Sequence, residues 1–165
     1  MSKRMRQYLG IITAIAIYYL IHEGAHLIYA LFLGVFKQVR FLGLGVQIVA
    51  ATERLNSTQL GLFCLVGPVA ALLAGYGLLT ATGKICAAQS KVFRACMYYA
   101  TIALLFCDPL YLSVLYGFFG GGDMNGIALL IPERIARLIF GVLFLINAFA
   151  FWKLALPKYR KEFSA

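Results

Sequence analysis

The sequence predicts an all-α integral membrane protein with about four transmembrane helices. The chain has 165 residues, of which 62% are hydrophobic and 13% are charged, and its mean hydropathy is +0.86. Soluble domains usually carry about 25% charged residues. Several apolar stretches also reach the ~20 residues needed to cross the hydrocarbon core of a bilayer. We therefore expect residues 1–165 to form a single membrane-embedded domain in contact with lipid.

The apolar stretches predict where the chain crosses the membrane. Charged and glycine-rich segments separate four of them, and these run from about Tyr8 to Val35, Leu60 to Thr82, Ala95 to Phe119, and Ile135 to Leu156. The first follows a basic N-terminus, as a signal peptide does. It is too long for the apolar region of a signal peptide and ends without a small-residue cleavage site, so we expect it to remain as a helix.

Two connecting segments have structure of their own in this prediction. Strand-forming residues and a turn at Gly43 and Gly45 predict a short membrane-associated β-hairpin over Phe36–Glu53, with a simple loop as the alternative. After the third span, glycines lead into Asp123 and a short apolar stretch that ends at Ile131. This stretch predicts a short helix before the last span.

The net charge of +9 comes from basic residues at the ends of the apolar runs. In that position they meet lipid head groups and set orientation, so we expect no nucleic acid partner. Because both termini are basic, we predict that both lie in the cytoplasm. We expect a multi-pass protein of a bacterial or archaeal cell membrane.

The chain has only two histidines, His22 and His26, and Glu23 lies between them inside the first predicted span. Residues four apart share one face of a helix, where two imidazoles can bind one zinc ion. Glu23 lies at the edge of that face and can act on a metal-bound water. Ionisable groups at membrane depth are costly and normally mark function. We therefore predict a Zn²⁺ site here rather than a structural polar cluster.

A catalytic zinc usually takes three protein ligands, so a third ligand is needed. Of the six acidic residues, Asp123 ranks first because the preceding glycines let the backbone approach closely. The alternative role for Asp123 is a helix cap. Asp108, followed by Pro109 in the third span, ranks second as a ligand and is also a candidate hydrogen-bond partner for a histidine. Asn125 is a further candidate for either role.

The motifs resemble, in order, those of the site-2 protease family of intramembrane zinc metalloproteases. The His-Glu-x-x-His motif lies in an early span, and Gly67-Pro68 at the start of the next span is similar to the family's Gly-Pro-Leu-Ala-Asn stretch. Asp123 stands in the place of the family's distal aspartate. The chain departs from the pattern at Ala71, where the family has asparagine, and in the residues around Asp123. The resemblance covers residues 8–131.

This resemblance implies a function and the roles of residues. His22, His26 and Asp123 would bind zinc, and Glu23 would be the general base in hydrolysis of membrane-embedded or membrane-associated proteins and peptides. Gly67 and Pro68 would form a structural motif. One alternative is a non-proteolytic zinc-binding regulator, or a partner subunit of another membrane protein, with the same fold. Another is a metal or proton transporter, although the chain has only one such cluster.

Overall fold

The computed structural model describes residues 1–43, 45–120 and 122–164. Within these residues, four helices are long and apolar enough to cross a membrane, namely Lys3–Phe32, Ser57–Thr80, Lys91–Phe118 and Glu133–Phe163. The predicted all-α membrane fold with four spans is confirmed. The chain is a multi-pass membrane protein in which these helices pack around buried clusters of apolar side chains.

The first helix, α1, spans Lys3–Phe32 and has defined signals at both ends. The hydroxyl of Ser2 accepts a hydrogen bond from the Met5 N–H at 3.3 Å. At the other end, Gly34 adopts a φ of +66°, which L side chains rarely adopt. The Gly34 N–H bonds the Leu31 carbonyl, and the Val35 N–H bonds the Ala30 carbonyl. This pattern of a glycine after the helix terminates α1 sharply.

A β-hairpin follows α1, so the prediction of a hairpin is confirmed over that of a loop. Strands β1 (Phe36–Leu42) and β2 (Gly45–Ala50) pair antiparallel, with Val39 opposite Ile48 and an irregularity near Gln38. Gly43 in the connection has a φ of +60°, as the sequence prediction of a glycine turn requires. The other turn residue, Leu44, lies outside the described residues. Strand β2 packs against α1.

The second spanning helix, α2 (Ser57–Thr80), begins with a capping box formed by Asn56 and Gln59. The Gly67-Pro68 pair lies well inside this helix rather than at its start, where the family resemblance put it. Gly75 packs against Leu105 of the next span, where a Cβ would lie 2.8 Å from a leucine methyl carbon. The small residue at this position lets the two helices approach closely. A short helix, α3 (Thr82–Ala87), follows.

The third span comprises α4 (Lys91–Leu110), a π-helical segment (Tyr111–Leu115) and α5 (Tyr116–Phe119). Segments of π-helix often occur at functional sites. This one begins two residues after Pro109, which carries no N–H. The predicted short helix is α6 (Met124–Ile127), so this expectation is also confirmed.

The last span comprises α7 (Glu133–Ala150), a π-helical segment (Phe151–Ala155) and α8 (Leu156–Ser164). The helix therefore continues beyond Leu156, where the sequence prediction ended it. The basic tail is helical because Tyr159 is fully buried and packs 4.9 Å, between ring centroids, from Tyr98 of α4.

Asn147, the lone polar residue deep in the last span, compensates for Pro109. A proline in a helix leaves the carbonyl four residues earlier without its usual donor, and for Pro109 this is the Leu105 carbonyl. The Asn147 amide donates to that carbonyl at 2.6 Å, and its own oxygen accepts from the Tyr76 hydroxyl at 2.6 Å. Asn147 is fully buried, and this network joins three spans by direct hydrogen bonds.

We expect Asn147→Leu to lower the free energy of unfolding by about 1–3 kcal/mol, because it leaves buried polar groups unsatisfied. In a Pro109→Ala background the loss should be smaller, because the restored N–H can bond the Leu105 carbonyl. Denaturation in mixed micelles measures both. An equal loss in the two backgrounds would contradict the compensation.

Candidate metal centre

The two histidines project from α1 toward α2 and are buried, with exposed fractions of 6% for His22 and 3% for His26. Their ring centroids lie 4.9 Å apart. Their spacing along the helix places both on the inner face, although the rest of α1 is largely covered with lipid-facing apolar side chains. The pair therefore lies inside the protein and away from lipid.

Three ligand atoms converge at one point. The Nε2 atoms of His22 and His26 lie 3.2 Å apart. The Asp123 carboxylate lies 3.2 Å from Nε2 of His22 and 3.5 Å from Nε2 of His26. Ligands at about 2.0–2.1 Å around a tetrahedral zinc lie about 3.3 Å from one another. Oδ2 of Asp123 faces His22 and Oδ1 faces His26, so the two nitrogens and the carboxylate have spacings close to those of zinc ligands.

The outer ring nitrogens determine which atoms face this point. Nδ1 of His26 lies 2.7 Å from the Phe63 carbonyl, which can only accept a hydrogen bond. Nδ1 of His22 lies 3.2 Å from Asp108, whose other oxygen accepts from the Tyr18 hydroxyl at 2.6 Å. Both Nδ1 atoms are thus assigned as protonated, and both Nε2 atoms present lone pairs. This arrangement of outer partners is typical of histidines that bind metals.

With both Nδ1 atoms protonated, the neutral histidines direct their Nε2 lone pairs toward the Asp123 carboxylate. A cation placed among these three groups would interact favourably with all of them. Two imidazoles and one carboxylate are a ligand set that suits zinc. The residues present thus fit a Zn²⁺ ion.

Asp123 reaches the histidines because of the loop before α6. Gly120 and Gly122 have φ values of +63° and +60°, and the Gly120 carbonyl accepts from the Tyr111 hydroxyl at 2.8 Å. Gly121 lies outside the described residues. Asp123 stands at the N-cap position of α6, as the cap alternative expects, but its side chain makes no capping hydrogen bond to that helix. Its side chain turns to the histidines instead.

The Asp123 carboxylate lies at the edge of the centre. Its side chain is 23% exposed, whereas the side chains of His22 and His26 are 8% and 4% exposed. Asp123 is therefore the most accessible of the three candidate ligands.

Asp108 occupies a different position from Asp123. It is 3% exposed and lies behind His22, on the ring nitrogen that faces away from the convergence point. Of the roles considered for Asp108, the geometry fits the hydrogen-bond partner of a histidine. Asn125 is exposed and accepts from the Tyr116 hydroxyl at 3.0 Å, and no hydrogen bond links it to the histidines within the described residues.

Glu23 lies next to the histidine pair and faces a cavity. One ligand atom of each of His22, Glu23 and His26 lies within 4.8 Å of the others. The Glu23 carboxylate also accepts the Ile48 N–H of β2 at 2.8 Å. The cavity between α1 and the hairpin has a volume of about 540 Å³ and is mostly apolar. Its lining includes Ile12, Tyr19, Leu20, Val39 and Val46.

Gly67 of α2 leaves the space in which the ligand atoms meet. A Cβ at this position would collide with Nε2 of His26 and lie 2.8 Å from Nε2 of His22. Any larger residue would therefore fill the point at which the lone pairs converge. Glycine is therefore required at this position of the Gly-Pro motif, because the α2 backbone approaches the histidine pair closely.

Tyr18 and the Phe63 carbonyl belong to the centre but were not assigned to it from the sequence. Tyr18 carries a signal, because it lies four residues before His22 on the same helix face. The Phe63 carbonyl carries none, because every residue has a carbonyl group and its orientation depends on how α2 packs against α1.

The centre thus combines three candidate ligands, a neighbouring carboxylate and outer hydrogen-bond partners in the interior of a membrane protein. Comparisons of this chain with family models, curated proteins and solved structures find no match. What the centre can do is therefore derived from its own side chains.

We expect Gly67→Ala to weaken zinc binding by at least about tenfold, because the added methyl group displaces both ligand nitrogens. Gly77→Ala is the matched control, since Gly77 lies on the same helix and a Cβ there meets nothing within 4 Å. Zinc affinity of the detergent-purified variants, measured by competition with a chelator, tests this. Equal affinities in the two variants would show that the convergence point is not the metal site.

Proposed function

We propose that this chain is an intramembrane zinc metallopeptidase that hydrolyses peptide bonds of membrane-embedded or membrane-associated substrates. The observation that carries this proposal is the convergence of Nε2 of His22, Nε2 of His26 and the Asp123 carboxylate within 3.2–3.5 Å, next to Glu23. A purely structural zinc site would be closed by a fourth protein ligand. Here the neighbouring carboxylate belongs to Glu23, which already accepts a hydrogen bond from β2.

The ligand residues have distinct tasks in this proposal. His22, His26 and Asp123 would hold the metal, while Asp108 and the Phe63 carbonyl keep both imidazoles in the tautomer that binds it. Bound zinc supplies a Lewis acid that polarises a carbonyl oxygen and lowers the pKa of water toward about 7.

Glu23 is the residue proposed to transfer protons. It would accept a proton from the attacking water and then donate one to the amine nitrogen of the departing peptide segment. Its hydrogen bond with Ile48 at 2.8 Å holds the carboxylate in place without protonating it. General acid–base catalysis of this kind contributes about 10²–10⁴-fold to the rate.

The substrate class follows from the cavity in front of Glu23. Its lining is apolar apart from that carboxylate, and several of its residues on α1 are exposed to the lipid side, among them Ile12, Ile15 and Leu20. Such a lining favours an apolar segment that arrives from within the bilayer. The volume of about 540 Å³ accommodates a short unwound stretch rather than a whole helix.

We expect Glu23→Gln to lower peptide cleavage by about 10²–10⁴-fold while zinc content stays at the wild-type level, because Glu23 is not a ligand in this proposal. Glu53→Gln is the control, as Glu53 is an exposed carboxylate at the end of the hairpin segment, bonded to Lys37. Mass spectrometry of single-span peptides in lipid nanodiscs measures the cleavage.

Two outcomes of this experiment would contradict the proposal. If wild type and Glu23→Gln cleave equally, Glu23 is not the base. If wild-type protein with full zinc content cleaves none of the peptides and its cellular function survives Glu23→Gln, the chain is the non-proteolytic zinc-binding regulator.

A further inference from the structure

Another cavity, of about 250 Å³, lies where the N-terminal ends of α1 and α4 meet α8. It is distant from the metal centre, because sixteen residues of α1 separate Arg6 from His22 and correspond to about 24 Å along the helix. Lys3, Arg6 and Gln7 of α1 line it together with Lys91 of α4. Nothing in the proposed peptidase reaction uses these residues.

The lining carries an excess of positive charge. Lys3 and Lys91 have no ion pair or hydrogen bond to their side chains within the described residues, and the Arg6 side chain donates to the Met1 carbonyl at 3.0 Å. The lining carboxylate, Glu162, is already paired with Arg94 at 2.8 Å. The three cations are thus left without a counter-charge from the described part of the chain.

Arg94 pairs with the carboxylate of the cavity lining from inside the protein. Its exposed fraction is 8%, and its Nη1 donates to Glu162 and to the Cys86 carbonyl. The charge of Glu162 is therefore already compensated by a buried arginine.

The first turns of α1 and α4 also favour an anion in the cavity. Neither contains an acidic residue, although acidic side chains are favoured at helix N-termini. Lysines occupy the first position of both helices. An anion in the cavity would therefore interact favourably with two helix ends as well as with three cationic side chains.

The remaining lining indicates that the anion is part of an amphiphile. Ala95, Tyr98, Tyr99 and Phe163 form an apolar wall that continues from the charged mouth into the bundle. The position coincides with the start of the first and third candidate spans. The volume of about 250 Å³ is below the roughly 300–1,000 Å³ of pockets that enclose whole small molecules. It therefore suits a head group whose chains remain in the bilayer.

We propose that this cavity binds the phosphate head group of an anionic phospholipid, with Lys3, Arg6 and Lys91 as the residues that contact the phosphate. The lipid links the N-terminal end of α1 to α4 and α8. The site is independent of the metal centre and of whether the chain is a peptidase.

Native mass spectrometry of the detergent-purified protein with added dioleoylphosphatidylglycerol or dioleoylphosphatidylcholine tests this proposal. We expect one tightly retained phosphatidylglycerol and no comparable retention of phosphatidylcholine. The triple variant Lys3→Gln/Arg6→Gln/Lys91→Gln should bind phosphatidylglycerol about 100-fold more weakly, since each cation contributes roughly a factor of five. A far-ultraviolet circular dichroism spectrum and a thermal unfolding midpoint equal to those of wild type show that the variant is folded.

The matched control is Lys84→Gln/Lys158→Gln/Lys161→Gln, which removes the same charge from exposed lysines on α3 and α8, outside the cavity. It should retain the lipid as wild type does. An equal loss of lipid in both triple variants would overturn the proposal, because it would show general attraction to a basic surface. Displacement of the lipid by inorganic phosphate at equal affinity would also overturn it, in favour of a soluble phosphate ligand.

Discussion

The close approach of His22, His26 and Asp123 is the interaction on which the rest of this site depends. Nε2 of each histidine and the Asp123 carboxylate lie 3.2–3.5 Å from one another. A cation bound among them would interact favourably with all three groups. The neighbouring groups position these three side chains. Asp108 and the Phe63 carbonyl fix the tautomers, Gly67 provides space, and the loop before α6 delivers the carboxylate.

The third span departs from regular helix geometry at two places. At each place, a side chain of the last span donates a hydrogen bond to a backbone carbonyl of the third span. Pro109 frees the Leu105 carbonyl, and Asn147 of the last span satisfies it at 2.6 Å. The π-helical segment at Tyr111–Leu115 leaves the Ser113 carbonyl accessible, and Arg137 donates to it at 3.0 Å. Because unsatisfied backbone groups are costly in lipid, these partners are structural requirements of the third span. That span in turn determines where Asp108 and Asp123 lie.

Much of the fold follows from the sequence, because the apolar runs are long and the spacing of His22 and His26 fixes their common helix face. The ends of helices were less predictable. Helix α8 continues the last span because Tyr159 is buried there, and this burial depends on tertiary packing. The choice between Asp108 and Asp123 also depended on packing. Both carboxylates lie near His22, and the ring nitrogen that each one meets depends on how α4 and the loop before α6 pack against α1.

X-ray absorption at the zinc edge, on purified protein loaded with an equimolar amount of zinc, tests the central claim most directly. The account predicts a four-coordinate zinc with imidazole scattering from two histidines and the remaining ligands oxygen, at about 2.0–2.1 Å. It also predicts that Asp123→Ala changes the oxygen shell while Asp108→Ala leaves the ligand count unchanged. A shell containing sulfur at about 2.3 Å, or imidazole scattering that persists in His22→Ala/His26→Phe protein, would contradict it.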